Sequence, residues 1–337
     1  MSTTAATLSV SDLRVGFLTR RGFFAAVDGV SFEVRAGETL GVVGESGSGK
    51  TVSMLALLGL LPPGPQWQTT GQALLNGRDL LALPPDQLRK VRGGEVSMIF
   101  QNPTSSLNPV FSIGDQVGEA IKVHHPQLSK HELRDRVLHL LDLVGIPNPT
   151  RRIEQYPHEF SGGMAQRVMI AMALANSPSL VIADEPTTAL DVTIQAQILE
   201  VLRNGLREFN SALVLITHNL SLVAELADRV TVMYAGSVVE TADVQTLFHH
   251  PRHPYTVGLM RSVPSLDERT ERLTQIPGQQ PSPANRPSGC TFHPRCYLSQ
   301  GREPCRVDVP PLYETDQSDH VAACHYWSEV EATAAVV

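Results

Sequence analysis

The chain has 337 residues, more than one comfortable core holds, so a main domain with an appendage is expected. Its 42% hydrophobic and 18% charged content is that of a globular protein, and a net charge of -7 argues against nucleic acid as the partner, because a phosphate backbone calls for a basic face. The longest apolar runs, residues 54–61 and 168–175, are too short to span a bilayer, and the N-terminus lacks a basic stretch followed by an apolar one, so the chain is expected in the cytoplasm.

In chain order, residues 8–35 alternate as a half-buried antiparallel pair, with Leu13, Val15 and Phe17 on one face and Val30, Phe32 and Val34 on another. Residues 39–43 (TLGVV) read as a buried strand, and residues 44–51 (GESGSGKT) follow it with the form G-x-x-x-x-G-K-[ST]. Each residue type there has a physical reason. Gly44, Gly47 and Gly49 allow backbone conformations closed to residues with a Cβ, so that consecutive N–H groups, those of Ser46 and Ser48 among them, turn toward an anion. Lys50 adds a charge for the β and γ phosphates, and the Thr51 hydroxyl is a ligand for Mg²⁺. A helix over residues 52–61, stopped by Pro62-Pro63, points its positive end at the same place. The stretch implies binding of a nucleoside triphosphate.

A loop at 62–70 leads to a short strand near 73–75 and a turn at Asn76-Gly77. The strand at 96–100 places Gln101 at its carboxyl edge, within reach of Mg²⁺ or of a water beside the γ-phosphate, and residues 102–109 read as a hinge. From 112 to 160 the pattern is helical. Ser129 and Glu132 form a capping box, Leu133, Val137, Leu140, Leu141 and Val144 share one face, and Gly145 ends that helix. Ser161, Gly162 and Gly163 open a further helix that no bulky side chain covers, a second anion site far in sequence from the first. Residues 180–183 are wholly apolar and lead to Asp184, placed to hold Mg²⁺ or its water, and to Glu185, a candidate general base. The strand at 212–217 repeats the device and delivers His218, a candidate contact for the γ-phosphate. Strands at 229–234 and 238–240 close a hairpin around Ala235-Gly236.

In this order, GESGSGKT (44–51), Gln101, FSGGMAQR (160–167), LVIADE (180–185), ALD (189–191) and His218 resemble the ATP-binding subunits of ABC transporters over about residues 8–250. The stretches MIFQNPTSSLNP (98–109), YPHEFSGGMAQRVMIAMALA (156–175), ADEPTTALDVTIQAQI (183–198) and HPYTVGLM (253–260) resemble the oligopeptide and dipeptide importer ATPases. The resemblance implies an α/β P-loop NTPase core with an antiparallel β subdomain, a helical insertion at about 105–175 and a Cys-rich C-terminal appendage at 251–330. It implies that two related ATP-binding subunits sandwich ATP, the Ser161–Gly163 helix of one meeting the phosphate loop of the other. It also implies two membrane-spanning permease subunits, an extracytoplasmic solute-binding protein, and a peripheral place on the cytoplasmic side of the membrane. Glu185 would be the catalytic base with His218 beside the γ-phosphate; Thr51, Gln101 and Asp184 would hold Mg²⁺; Asp191 would belong to the nucleotide site. Phe17 is taken as the adenine-stacking aromatic, with Phe24 the alternative. Met164 stands where the general signature has Gln, and Asn219 where Asp is commoner. Nickel or another solute is the alternative cargo, and a non-transport ABC ATPase the alternative role.

The four cysteines, Cys290, Cys296, Cys305 and Cys324, fall together in the Pro-rich C-terminal region, which is too poor in apolar periodicity to build a core alone. Disulfides are disfavoured in the cytoplasm, and the C-x2-C pairs of structural zinc sites are absent. Four thiolates at irregular spacing suit a [4Fe–4S] cluster, with zinc or free thiols as alternatives. The stretch GCTFHPRC (289–296) resembles the importer ATPases' C-terminal motif, which implies the cluster as well. His293 and His325 lie nearby and are read as spectators.

Overall fold

The computed structural model describes residues 6–19, 22–62, 67–102, 106–188, 191–262 and 276–330. Ala189 and Leu190 of the ALD stretch, residues 63–66 and 103–105 of the two expected loops, and residues 263–275 of the appendage lie outside the described residues. The strands are β1 (Ala6–Thr19), β2 (Gly22–Arg35), β3 (Thr39–Val43), β4 (Trp67–Leu75), β5 (Arg78–Asp79), β6 (Val96–Ile99), β7 (Leu180–Asp184), β8 (Ala212–Thr217), β9 (Arg229–Tyr234), β10 (Ser237–Asp243), β11 (Tyr313–Glu314) and β12 (Val321–Ala322). Two compact units emerge, one built mainly from Val34–Glu38 and Leu83–Val214, the other from Leu8–Glu33, Thr39–Ala82 and the described part of Leu215–Val337.

In the first unit β6 and β7 pair in parallel, Val96 opposite Leu180 and Ile99 opposite Ala183. All five residues of β7 are buried, as a run apolar on both faces requires of an interior strand. The insertion follows its sequence signals closely. Ser112 caps the helix Ile113–Lys122, accepting the Asp115 N–H at 3.1 Å. The helix Lys130–Leu143 opens with the expected capping box: Ser129 Oγ accepts from Glu132 N at 3.3 Å and Glu132 Oε2 from Ser129 N at 2.9 Å. Val137, Leu140, Leu141 and Val144 are buried, and Gly145 ends the stretch at a φ of 68°.

In the second unit an antiparallel sheet has the order β2-β1-β4-β5. The strand expected near 73–75 runs over Trp67–Leu75 instead, because its pairing with β1 continues from Leu8–Leu75 to Phe17–Trp67. The helix expected over 52–61 is Lys50–Leu57. It stops well before the prolines: Gly59 is left-handed, its N–H bonds Ala56 O, and Leu60 N–H reaches back to Leu55 O at 2.8 Å, so the terminal carbonyls are satisfied there. β3 pairs in parallel with β9, and β9 turns at Ala235-Gly236 into β10.

The appendage, short of apolar residues, borrows a core. Phe292, with Cys290 and Cys296 against it, packs among Val43, Val230, Val232, Tyr234, Tyr255 and Met260. β10 pairs with β12, and β12 with β11. Glu240, wholly buried in β10, ties these parts together: its carboxylate accepts the Arg252 N–H, the His253 N–H at 3.0 Å and His320 Nε2 at 2.8 Å. His253 is buried too, and its Nδ1 accepts the Tyr255 N–H at 3.1 Å, capping the helix Pro254–Arg261.

Burial pushes the pKa of His253 down from 6.5 to about 3, only partly opposed by a hydrogen bond to the Ala323 backbone. A pKa depressed on folding means that the unfolded chain binds more protons between pH 6.5 and 3, so stability is lost as pH falls through that window. His253→Asn keeps a cap acceptor without the titration. Between pH 6.5 and 5 the variant should lose on the order of 1–2 kcal/mol less than the parent chain in urea melts. Identical losses in both would show that the imidazole is not held neutral.

Candidate nucleotide site

The phosphate loop leaves β3 at Gly44, whose φ is +151°; a Cβ there would lie 2.2 Å from Met233 O. Gly47 and Gly49 also have positive φ, of 84° and 101°. Gly236 N–H bonds Ser48 O at 2.9 Å and fixes the loop's far side, while Glu45 N–H donates to Tyr255 Oη at 2.8 Å. Lys50, 6% exposed, folds back: its Nζ donates to Gly44 O at 2.7 Å, Glu45 O at 2.9 Å and Ser48 Oγ at 3.3 Å. The ammonium therefore sits inside the ring of backbone groups that the glycines create. Ser46 and Gly47 are exposed, Ser48 is buried, and Thr51 is half-buried in the first turn of Lys50–Leu57. No side chain caps that helix at Gly49 and no acidic residue stands in its first turn, the electrostatics an anion needs.

Phe17, half-buried on β1, lies edge-on to Trp67 at 5.4 Å and 6.1 Å from Phe24. The two rival aromatics thus share one cluster with Trp67, which the sequence does not signal because only pairing with β1 extends the strand near 73–75 back to it. His218 follows β8 and is exposed. Asn219 next to it caps the helix Leu220–Leu226, its Oδ1 accepting the Ser221 N–H at 3.0 Å, a task Asn performs as well as Asp.

In the first unit β7 delivers Asp184, 8% exposed, and then Glu185. Glu185 has a φ of +49°, a left-handed conformation that a glutamate adopts only where its surroundings hold it. Its Oε2 accepts from Gln101 Nε2 at 3.0 Å and from Thr188 Oγ1 at 2.8 Å. The structure thus brings the predicted Gln101 and Glu185 together, though they are 84 positions apart. Thr188 is the third member, and nothing local in the sequence singles out its hydroxyl.

Ser161 caps the helix Gly162–Leu174, its Oγ accepting the Met164 N–H at 3.3 Å. Ser161 and Gly162 are exposed, whereas Gly163 has a packing reason: a Cβ there would lie 2.7 Å from Ile194 Cγ2 on the helix Val192–Phe209. Asp191 caps that second helix, its Oδ1 accepting the Ile194 N–H at 3.0 Å.

All four cysteines lie in the second unit, Cys305 and Cys324 buried, Cys290 and Cys296 half-buried. Gly289 is left-handed, and a Cβ on it would meet Cys305 O at 2.6 Å, so the chain approaches closely enough for Cys290 N–H to bond Cys305 O at 3.0 Å. Burial pushes the thiols up, Cys290 to about 11 and Cys324 to about 12; the charges of Cys296 and Cys305 add to both, and that of Cys290 to Cys324. His293 Nδ1 faces Cys290 O and His325 Nε2 faces Asp308 O, so both rings are engaged by backbone. Among the described residues no group of three or more His, Cys, Asp or Glu side chains is arranged to hold a metal ion, which gives geometric support neither to the expected cluster nor to the zinc alternative.

Comparison with known proteins agrees with this geometry. Residues 27–188 match the family model described as ABC transporter, and residues 239–305 the one described as oligopeptide/dipeptide transporter, C-terminal region. The chain is 50% identical over 323 residues to the dipeptide transport ATP-binding protein DppD of Escherichia coli K12, covering 95% of this chain and 97% of that one. The protein of the same name from Shigella flexneri matches equally. Among solved structures, the post-hydrolysis dimer of the ATP-binding cassette MJ0796 bound to ADP and Pi superposes with a TM-score of 0.61 at 26% identity, covering 70% of this chain and 98% of that chain.

Proposed function

The chain belongs to the ABC transporter ATPase family and is an ATP-hydrolysing cassette, and from that premise we propose that it energises the import of dipeptides or oligopeptides through a pair of permease subunits. The match of residues 239–305 to the peptide-transporter C-terminal region favours peptides over nickel or another solute. The carrying observation for catalysis is the arrangement around Glu185.

In this reading Lys50 and the loop N–H groups take the β and γ phosphates, with the Phe17 cluster beside the base. The Glu185 carboxylate accepts the proton of the attacking water, and Gln101 and Thr188 hold that carboxylate in one orientation. His218 contacts the γ-phosphate. Thr51, Gln101 and Asp184 would hold Mg²⁺, a donor set of hard oxygens that suits it; the ion's chemistry is to neutralise the phosphate charge that develops on transfer. The Ser161–Gly163 helix start, with Asp191 nearby in sequence, serves the nucleotide of a second, related ATPase subunit.

The four thiols would hold a [4Fe–4S] cluster. They are spread over residues 290–324, and in a cluster each cysteine would bind a different iron, so the sulfurs need not crowd round one ion. Its chemistry there is structural cross-linking of a region without its own core.

No helix among the described residues is long and apolar enough to cross a membrane, and the proposed place is peripheral, on the cytoplasmic face. On the first unit, Phe100, which precedes Gln101 in the chain, and Val110 and Phe111, which precede the first insertion helix, are 42%, 71% and 51% exposed, apolar side chains that would receive a permease loop. Phe111→Asp should reduce co-purification of the permeases by about tenfold or more, the cost of one lost buried aromatic. Undiminished recovery would remove this face from the interface. The test of the reading as a whole is peptide uptake: cells lacking the chain should fail to import labelled dipeptides, and a defect for nickel alone would select the other cargo.

A further inference from the structure

An acidic residue inside a phosphate-binding loop is electrostatically awkward, because it adds a negative charge where a triphosphate must sit. Glu45 is such a residue, immediately after Gly44 and at a position where the G-x-x-x-x-G-K-[ST] pattern asks for nothing in particular. Its carboxylate is met by Arg295, 250 positions away. Arg295 Nη1 lies 2.7 Å from Glu45 Oε2 and Nη2 2.9 Å from Oε1, a two-pronged pair. The arginine side chain is only 6% exposed. Its Nε donates to Pro277 O at 2.8 Å, and its guanidinium lies over the rings of Tyr234 and Phe292 at 5.7 and 5.9 Å. Arg295 belongs to the short turn His293–Arg295, between Cys290 and Cys296. Beyond Glu45 the contacts continue, since Glu45 N–H is held by Tyr255 Oη and Glu45 O accepts from Lys50 Nζ at 2.9 Å. A second arginine of the appendage braces the loop's other side: Arg286 pairs with Asp28 at 2.7 Å and donates to Ala235 O, in the turn whose Gly236 bonds Ser48 O.

We propose that Arg295 is a positioning residue for ATP binding: it neutralises Glu45 and fixes the phosphate loop, so that the cysteine-bearing appendage sets the cassette's affinity for ATP. The proposal rests on the reading of residues 44–51 as the triphosphate site. Uncovering the Glu45 charge raises the KM for ATP far more than it lowers kcat, because the charge opposes ground state and transition state alike.

The experiment measures equilibrium ATP binding by the full-length chain, and KM and kcat of the assembled complex, for the parent protein, Arg295→Gln, the double variant Arg295→Gln/Glu45→Gln, and Lys50→Ala. Arg295→Gln should weaken ATP binding and raise KM by about tenfold, with kcat changed less than about threefold; the double variant should recover most of the affinity, because the uncompensated charge is gone. Affinity unchanged in Arg295→Gln, or lost equally in the double variant, overturns the proposal. A merely structural arginine would lower the melting temperature in both variants and leave the KM of the folded protein alone. Lys50→Ala separates the two readings: if it leaves ATP binding intact, the triphosphate site itself is misassigned, whereas if it abolishes binding and Arg295→Gln has no effect, only the role of Arg295 fails.

Discussion

Glu185→Gln is expected to cut ATP turnover of the assembled complex by about 10²–10⁴-fold, the usual size of a lost general base, while ATP still binds. The substitution keeps the volume and the hydrogen-bonding reach of the side chain, so the contacts from Gln101 and Thr188 can largely re-form. What disappears is the carboxylate that takes the proton from water. The backbone at Glu185 already occupies the left-handed region and is unaffected by a change from Glu to Gln. Gln101→Ala and Thr188→Ala should act more weakly, because each removes a contact that orients the carboxylate and leaves the carboxylate itself in place. A rate near that of the parent in Glu185→Gln, read in a single-turnover assay with bound ATP, would reassign the base.

The second large effect is on stability. Glu240→Ala should destabilise the second unit by about 3–5 kcal/mol, the range for removing one partner of a buried, hydrogen-bonded charged group. Three donors lose their acceptor at once: the half-buried Arg252 backbone N–H, the buried His253 N–H and the buried ring of His320. His320 already carries a buried Nδ1 with no hydrogen-bond partner among the described residues, so a second orphaned nitrogen has no relief nearby. The loss should fall first on the appendage, whose strands β11 and β12 join the sheet through β10, the strand that carries Glu240. Urea melts of the full-length chain and limited proteolysis near residues 276–330 measure it. A change below about 1 kcal/mol would mean that the carboxylate's desolvation offsets all three bonds.

Legibility differed sharply between elements. β3, β8 and the capped insertion helix stand in the sequence at their observed bounds, because each combines a strong local pattern with a strong local stop: four or five consecutive residues without a polar side chain (Leu40–Val43, Ala212–Ile216), or Ser129 and Glu132 before an amphipathic stripe. The helix after the phosphate loop ends earlier than Pro62-Pro63 suggests, because Gly59, a quieter signal in the sequence, turns the chain first. β4 extends beyond its apolar end because Trp67–Gln72, with one apolar side chain among six residues, carry no strand pattern of their own, and it is pairing with β1 that makes them a strand. Strands of two residues, such as β11 and β12, have no period to detect. In the site, the phosphate loop, Gln101, Glu185 and the Ser161 cap announced themselves through spacing. The contacts of Glu45 with Arg295 and of Glu240 with His320 did not, because no local pattern reports pairings 250 or 80 positions apart.

The central claim is that this cassette converts ATP hydrolysis into peptide import, and ATP turnover by the complex purified through a tag on this chain, reconstituted with its permeases and its solute-binding protein, tests it most directly. Turnover that rises on adding a dipeptide or oligopeptide, with labelled peptide accumulating on the far side of the vesicle membrane, is the predicted result. Turnover indifferent to every peptide offered, or stimulated instead by nickel with no peptide moved, would contradict it.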